Sequence, residues 1–119
     1  MKRKTRVVLC VDDDPQSLDI RKQLLEVAGY QVLIATDAAE GLAIFQELPV
    51  DAVILDYQMP GMNGGQLAAA MKQIRPGVPV MIVSSLPWLP DDAPNCIDAF
   101  VSKCAPSSAL MDKITHLVS

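Results

Sequence analysis

Polar or charged side chains follow short apolar runs at four places in this chain. Asp12, Asp13 and Asp14 come directly after Val7 to Val11, and Asp56 comes directly after Asp51-Ala-Val-Ile-Leu55. Ser84 and Ser85 follow Pro79 to Val83, and Ser102-Lys103 follow Ala99 to Val101. If the runs are parallel strands, the polar groups converge outside their carboxyl ends, where ligands of such sheets sit. Carboxylates held that close repel one another and resist ionisation. A divalent cation is the simplest relief. An all-oxygen donor set with no His or Cys beside it suits a hard ion such as Mg²⁺. A carboxylate next to a metal and an ammonium is also arranged to attack phosphorus. The cation and Lys103 would neutralise charge on the transferring phosphoryl oxygens, and the Ser84 hydroxyl could donate to a third. Asp56 is the best nucleophile candidate, because it opens the glycine-rich loop Tyr57 to Gly65, which offers backbone amides and room.

The elements needed to position these groups can be read along the chain. Val7 to Val11 is continuously apolar and β-branched, as a strand covered on both faces would be. Asp14-Pro15 reads as N-cap and first residue of a helix carrying Leu18, Leu24, Leu25 and Ala28 inward and stopping at Gly29. Gln31 to Ala35 is a second strand. Asp37-Ala-Ala-Glu40 resembles a capping box and opens a helix burying Leu42, Phe45 and Leu48, ended by Pro49. Asp51 to Leu55 is the third strand. A helix then places Leu67, Ala70, Met71 and Ile74 at helical spacing. Pro79 to Val83 and Ala99 to Val101 are strands four and five. Ser107 caps a last helix with Leu110, Ile114 and Leu117 inward. The alternation predicts right-handed βαβ units and a doubly wound α/β sandwich around a parallel sheet. Pro87, Pro90 and Pro94 interrupt the fourth crossover, which therefore reads as a loop or one helical turn near Pro94.

Composition narrows the function classes. The chain has 119 residues, 50% apolar, with a formal net charge of −4. That length predicts one domain over 1–119. The acidic body disfavours direct nucleic-acid binding. No apolar run reaches the ~18–20 residues of a membrane helix, and the run after Lys2, Arg3, Lys4 and Arg6 is too short for a signal peptide. The three cysteines, Cys10, Cys96 and Cys104, form no CxxC pair. Cys96 and Cys104 lie roughly 25 Å apart if the segment between them is extended, too far for a disulfide. These features predict a cytoplasmic domain. The basic N-terminus reads as a solvated flank and His116 as a surface residue.

The segments Val11-Asp-Asp-Asp-Pro15, Leu55 to Gly64, Pro79 to Ser85 and Ala99 to Lys103 together resemble the receiver domain of bacterial two-component response regulators. The resemblance covers residues 5 to 118 and implies a flavodoxin-like fold with strand order 2-1-3-4-5. It implies Asp56 as phosphoacceptor, Asp13 and Asp56 as direct Mg²⁺ ligands with the Gln58 carbonyl, and Asp12 acting mainly through water. Ser84 matches the switch hydroxyl, Lys103 the phosphate-binding lysine and Phe100 the switch aromatic. The implied partner is a sensor histidine kinase or a histidine phosphotransfer protein. Two departures stand out. Cys104 occupies the place of the proline that usually follows the lysine in a cis bond, so a trans bond is expected. The broken fourth crossover weakens any transfer of the family's usual signalling face.

An aspartyl phosphatase commonly needs a second Asp two positions after its nucleophile, where this chain has Gln58. The family's receivers catalyse only their own phosphorylation and hydrolysis, so no turnover enzyme is expected. A phosphorylation-independent interaction module on the same fold is motivated by the altered crossover. A flavin site is disfavoured, because no Ser/Thr-rich phosphate loop follows the first strand. Trp88 is expected to cover the sheet end where a helix is missing, with a partner anchor as the sharper rival.

Overall fold

The apolar runs form strands buried on both faces, as continuous β-branched and leucine-rich segments must in a parallel sheet. The computed structural model describes residues 5–91 and 93–118. Its strands are β1 (Val7–Val11), β2 (Gln31–Ala35), β3 (Ala52–Asp56), β4 (Val80–Ser84) and β5 (Ala99–Ser102). All pair in parallel, in the order β2-β1-β3-β4-β5. The helices are α1 (Pro15–Val27), α2 (Ala38–Glu47), α3 (Gly64–Ile74) and α4 (Ser107–Val118). This is the predicted doubly wound α/β sheet. None of these helices is long and apolar enough to cross a membrane.

Alternate strand residues feed two cores. Val8, Cys10, Ile54, Met81 and Val101 meet Leu18 and Leu25 of α1 and Leu110 and Ile114 of α4. Leu9, Val11, Leu55 and Ile82 meet Phe45 of α2 and Leu67 and Met71 of α3. Leu42 and Leu117 are half-buried and pack against these cores as expected, whereas Ala28 is exposed and Leu24 and Ala70 are only half-buried. Leu48 is 44% exposed because α2 ends at Glu47 and the chain turns extended there, so that Val50 is buried instead. Ile74 sits at the last position of α3 and is also exposed.

Caps follow local chemistry. Asp14 accepts from Gln16 N, with Pro15 inside the helix, and Gly29 takes φ +99 after α1. Asp37 accepts from Glu40 N, but the Glu40 carboxylate reaches back to Thr36 N at 2.8 Å rather than to Asp37, so the box is shifted by one residue. The fully reciprocal capping box belongs to Asn63 and Gln66, ahead of α3.

Two aspartates tie the opposite, amino-terminal rim of the sheet. Asp51, placed in the third strand by its sequence, precedes β3 and accepts from Val7 N at 2.7 Å. Asp98 accepts from Val80 N at 2.7 Å and from Lys72 Nζ at 2.8 Å.

The β4–β5 connection carries no helix among its described residues, as its prolines predict. Leu89 and Ile97 pack against the α2–α3 core, while Trp88 is 68% exposed. The expectation that Trp88 covers the sheet end is therefore wrong: the two aliphatic residues fill that place and leave the indole in solvent. Lys2, Arg3 and Lys4, which the sequence marks as a solvated flank, lie outside the described residues.

The cysteines are unpaired. Burial pushes the Cys10 thiol up to about 12, with Arg21 offsetting part of that rise. Since the thiolate is the reactive form, a disulfide-exchange reagent at pH 8 should modify exposed Cys104 quickly and leave Cys10 untouched until urea unfolds the chain. Prompt labelling of all three thiols in the native protein would contradict this packing.

Candidate phosphoryl-transfer site

Strand ends bring the polar groups together. Asp12 follows β1 and its amide donates to Ala35 O at 3.1 Å, so the chain is still held by the sheet there. Asp56 is the last residue of β3, beside Val83 of β4. Asp12 is fully buried, Asp56 is 3% exposed and Asp13 is exposed. One carboxylate oxygen from each of the three lies within 4.8 Å of the others.

Lys103 spans the acids. Its Nζ stands 3.1 Å from Asp12 Oδ2 and 3.3 Å from Asp56 Oδ1. The replacement of proline by Cys104 does not pull this ammonium away: the described chain has no cis peptide, and Lys103 N donates to Ser84 O at 2.7 Å. Asp12 is held further by Asp14 N at 2.9 Å on Oδ1.

Sequence reasoning missed Arg21. Its NH1 lies 3.4 Å from Asp12 Oδ2, and its side chain is 9% exposed. The signal was present, because Leu18, Arg21 and Leu25 share one helical stripe, and that stripe is the buried one.

Burial raises the Asp56 carboxyl to about 6, reinforced by the Asp12 charge. The Lys103 ammonium, and the Gln58 backbone N–H donating to the carboxylate, act in the other direction. Gln58 is exposed, and its Oε1 accepts from Ser85 Oγ at 2.9 Å. Ser84 is fully buried at the end of β4 and its Oγ accepts from Leu86 N at 3.1 Å. Phe100 on β5 is half-buried against the α2–α3 core, paired in register with Ile82.

The loop after Asp56 is built for close approach. Gly61 takes φ +78, and Gly64 N donates to Tyr57 O at 2.8 Å. A Cβ on Gly64 would lie 2.5 Å from Asp56 O, so only glycine fits without displacement.

The donor set tests well for a hard cation. Three carboxylates within reach of one another, with no imidazole or thiolate among them, offer the oxygen ligands Mg²⁺ takes. The response regulator receiver domain family matches residues 8–115. The chain belongs to that family. The transcriptional regulatory protein GlrR of Escherichia coli (strain K12) is 40% identical over 91 residues, 76% of this chain and 20% of GlrR. The receiver domain thus spans about a fifth of that curated relative. The response regulator TrrA of Thermotoga maritima, solved in complex with Mg(2+)-BeF, superposes with TM-score 0.90 at 26% identity, covering 95% of this chain and 99% of that one. A structure of the histidine kinase ThkA in complex with TrrA gives TM-score 0.90 at 27% identity, covering 97% of this chain and 100% of that one. This receiver domain is a two-component signalling module.

Proposed function

We propose that this receiver domain accepts a phosphoryl group on Asp56 from the phosphohistidine of a sensor histidine kinase or a histidine phosphotransfer protein, with Mg²⁺, and so switches a protein-interaction surface. The observation that carries the reading is Lys103 Nζ set between Asp12 and Asp56 at one edge of the acidic cluster. The likeness to TrrA, solved both with Mg(2+)-BeF and with a histidine kinase, supports it. The reading covers 1–119 as one receiver domain, acting in the cytoplasm, where its free thiols would stay reduced.

Asp13, Asp56 and the Gln58 carbonyl would hold the ion directly, with Asp12 acting through water. The ion supplies charge neutralisation on the transferring group. An Asp56 carboxylate oxygen attacks phosphorus, the N–P bond to the donor imidazole breaks, and an acyl phosphate forms. Lys103, released from Asp56, pairs with a phosphoryl oxygen, and the Ser84 hydroxyl donates to another. Drawing in Ser84 moves the start of the β4–β5 connection, and Phe100 changes rotamer beside it. The domain would catalyse its own phosphorylation and hydrolysis and turn over no other substrate.

Incubation with Mg²⁺ and acetyl phosphate, followed by intact mass, tests the reading. The native chain should gain one phosphoryl group, and Asp56→Asn should gain none. No gain in the native chain would favour an interaction module that works without phosphorylation.

A further inference from the structure

Arg21 is the charged group at the rim that the transfer chemistry leaves unused. It projects from α1, and among the described residues Asp12 is its one ion-pair partner. The oxygen it approaches, Oδ2, is the same one Lys103 approaches, so a single buried carboxylate oxygen faces two cations. We propose that Arg21 is a resident counter-ion of Asp12, a positioning residue that lowers the Mg²⁺ affinity of the site by competing for that carboxylate. The inference rests on the phosphoacceptor reading above and adds to it what sets the metal's occupancy.

Charge arithmetic gives the direction. The three carboxylates and the two cations leave the rim with a formal charge of −1, and removing Arg21 would make it −2. A dication gains more from the second arrangement. Little solvent reaches the pair to screen it: the Asp12 side chain is fully buried and that of Arg21 nearly so. A guanidinium suits the task, because it keeps its charge at any physiological pH even when desolvated. Its stem borders a cavity of about 210 Å³, shared with Leu24, Lys103 and Leu110, so a shorter side chain meets open space there rather than a sealed core.

Calorimetric titration of the full chain with MgCl₂ tests the proposal on Arg21→Met, Arg21→Gln and Arg21→Lys. Met keeps the stem and loses the charge, Gln loses the charge and keeps a donor, and Lys keeps the charge. Met and Gln should each bind Mg²⁺ roughly tenfold more tightly than the native chain, with Lys close to native. If Met proves too unstable to titrate, Gln carries the same expectation. Unchanged affinity in the neutral variants, with only the unfolding midpoint moved, would mean that Arg21 serves packing and would overturn the proposal. Weaker binding would also overturn it, showing that Arg21 organises Asp12 for the metal. A native chain that binds no Mg²⁺ would sink the phosphoacceptor reading itself, whereas native binding with unaltered variants would sink only the role of Arg21.

Discussion

Replacing Gly64 with alanine is expected to destabilise the fold by about 3 kcal/mol, the upper end of the range for forcing atoms into a packed interior. The new Cβ would lie 2.5 Å from Asp56 O and 2.9 Å from Tyr57 Cα. Both are backbone atoms, so no side-chain rotation relieves the overlap. Either α3 or the end of β3 must move, and β3 carries Asp56. Urea unfolding should show a lower midpoint with an unchanged slope, and the variant should take up acetyl phosphate more slowly. Gly77→Ala is the control. Nothing lies within 4 Å of a Cβ there, so its stability should stay within about 0.5 kcal/mol of native. Equal behaviour of the two variants would show that Gly64 is not confined.

Asp56→Asn is expected to stabilise the metal-free protein by about 2–3 kcal/mol near neutral pH. The folded chain holds the Asp56 carboxyl at about 6 against an ordinary 3.8, so the native state keeps that proton more tightly than the unfolded state does. Burial is the main cause, the Asp12 charge adds to it, and Lys103 compensates only in part. Each pKa unit corresponds to about 1.4 kcal/mol. Stability from this group is fully present below about pH 3.8 and is lost as pH rises through about 6. Asparagine removes the ionisation and its penalty. In chelator, the variant's advantage should therefore be largest above pH 7 and vanish near pH 4. Mg²⁺ should then narrow the gap by stabilising the native chain. A variant no more stable than native at pH 7.5 would mean that Lys103 already balances the buried charge.

The alternation of apolar runs made the sheet legible, since five short strands with helices in three of their four connections admit few arrangements. Strand termini then located Asp12, Asp56, Ser84 and Lys103 on one rim, because polar residues that end parallel strands must crowd there. What stayed hidden is instructive. Asp51 and Asp98 are the same residue type as Asp56 and also adjoin strands, yet they sit at strand beginnings and are tied to Val7 N and Val80 N. Side of the sheet, not residue type, separates tethering acids from available ones. Arg21 was passed over because a basic residue on an amphipathic helix normally faces water. Only the buried Asp12 beneath it makes the inward position favourable. Trp88 differs for the opposite reason: bulk suggests burial, yet the neighbouring Leu89 packs against the core and the indole stays 68% exposed.

Pro94 rests against Gly65, its Cδ 3.0 Å from where a Cβ would stand. Two stretches of chain remote in sequence, the start of α3 and the helix-free crossover, thus touch with no side chain of the glycine between them. A helix at that crossover would carry a shift at Ser84 along its axis as a rigid rod. The described residues of this strap form no such axis, and they meet the α3 side of the sheet sideways, through Pro94 at Gly65 and through Leu89 and Ile97. If phosphorylation draws in Ser84 as proposed, the strap would press on the flank of α3 rather than push along an axis of its own.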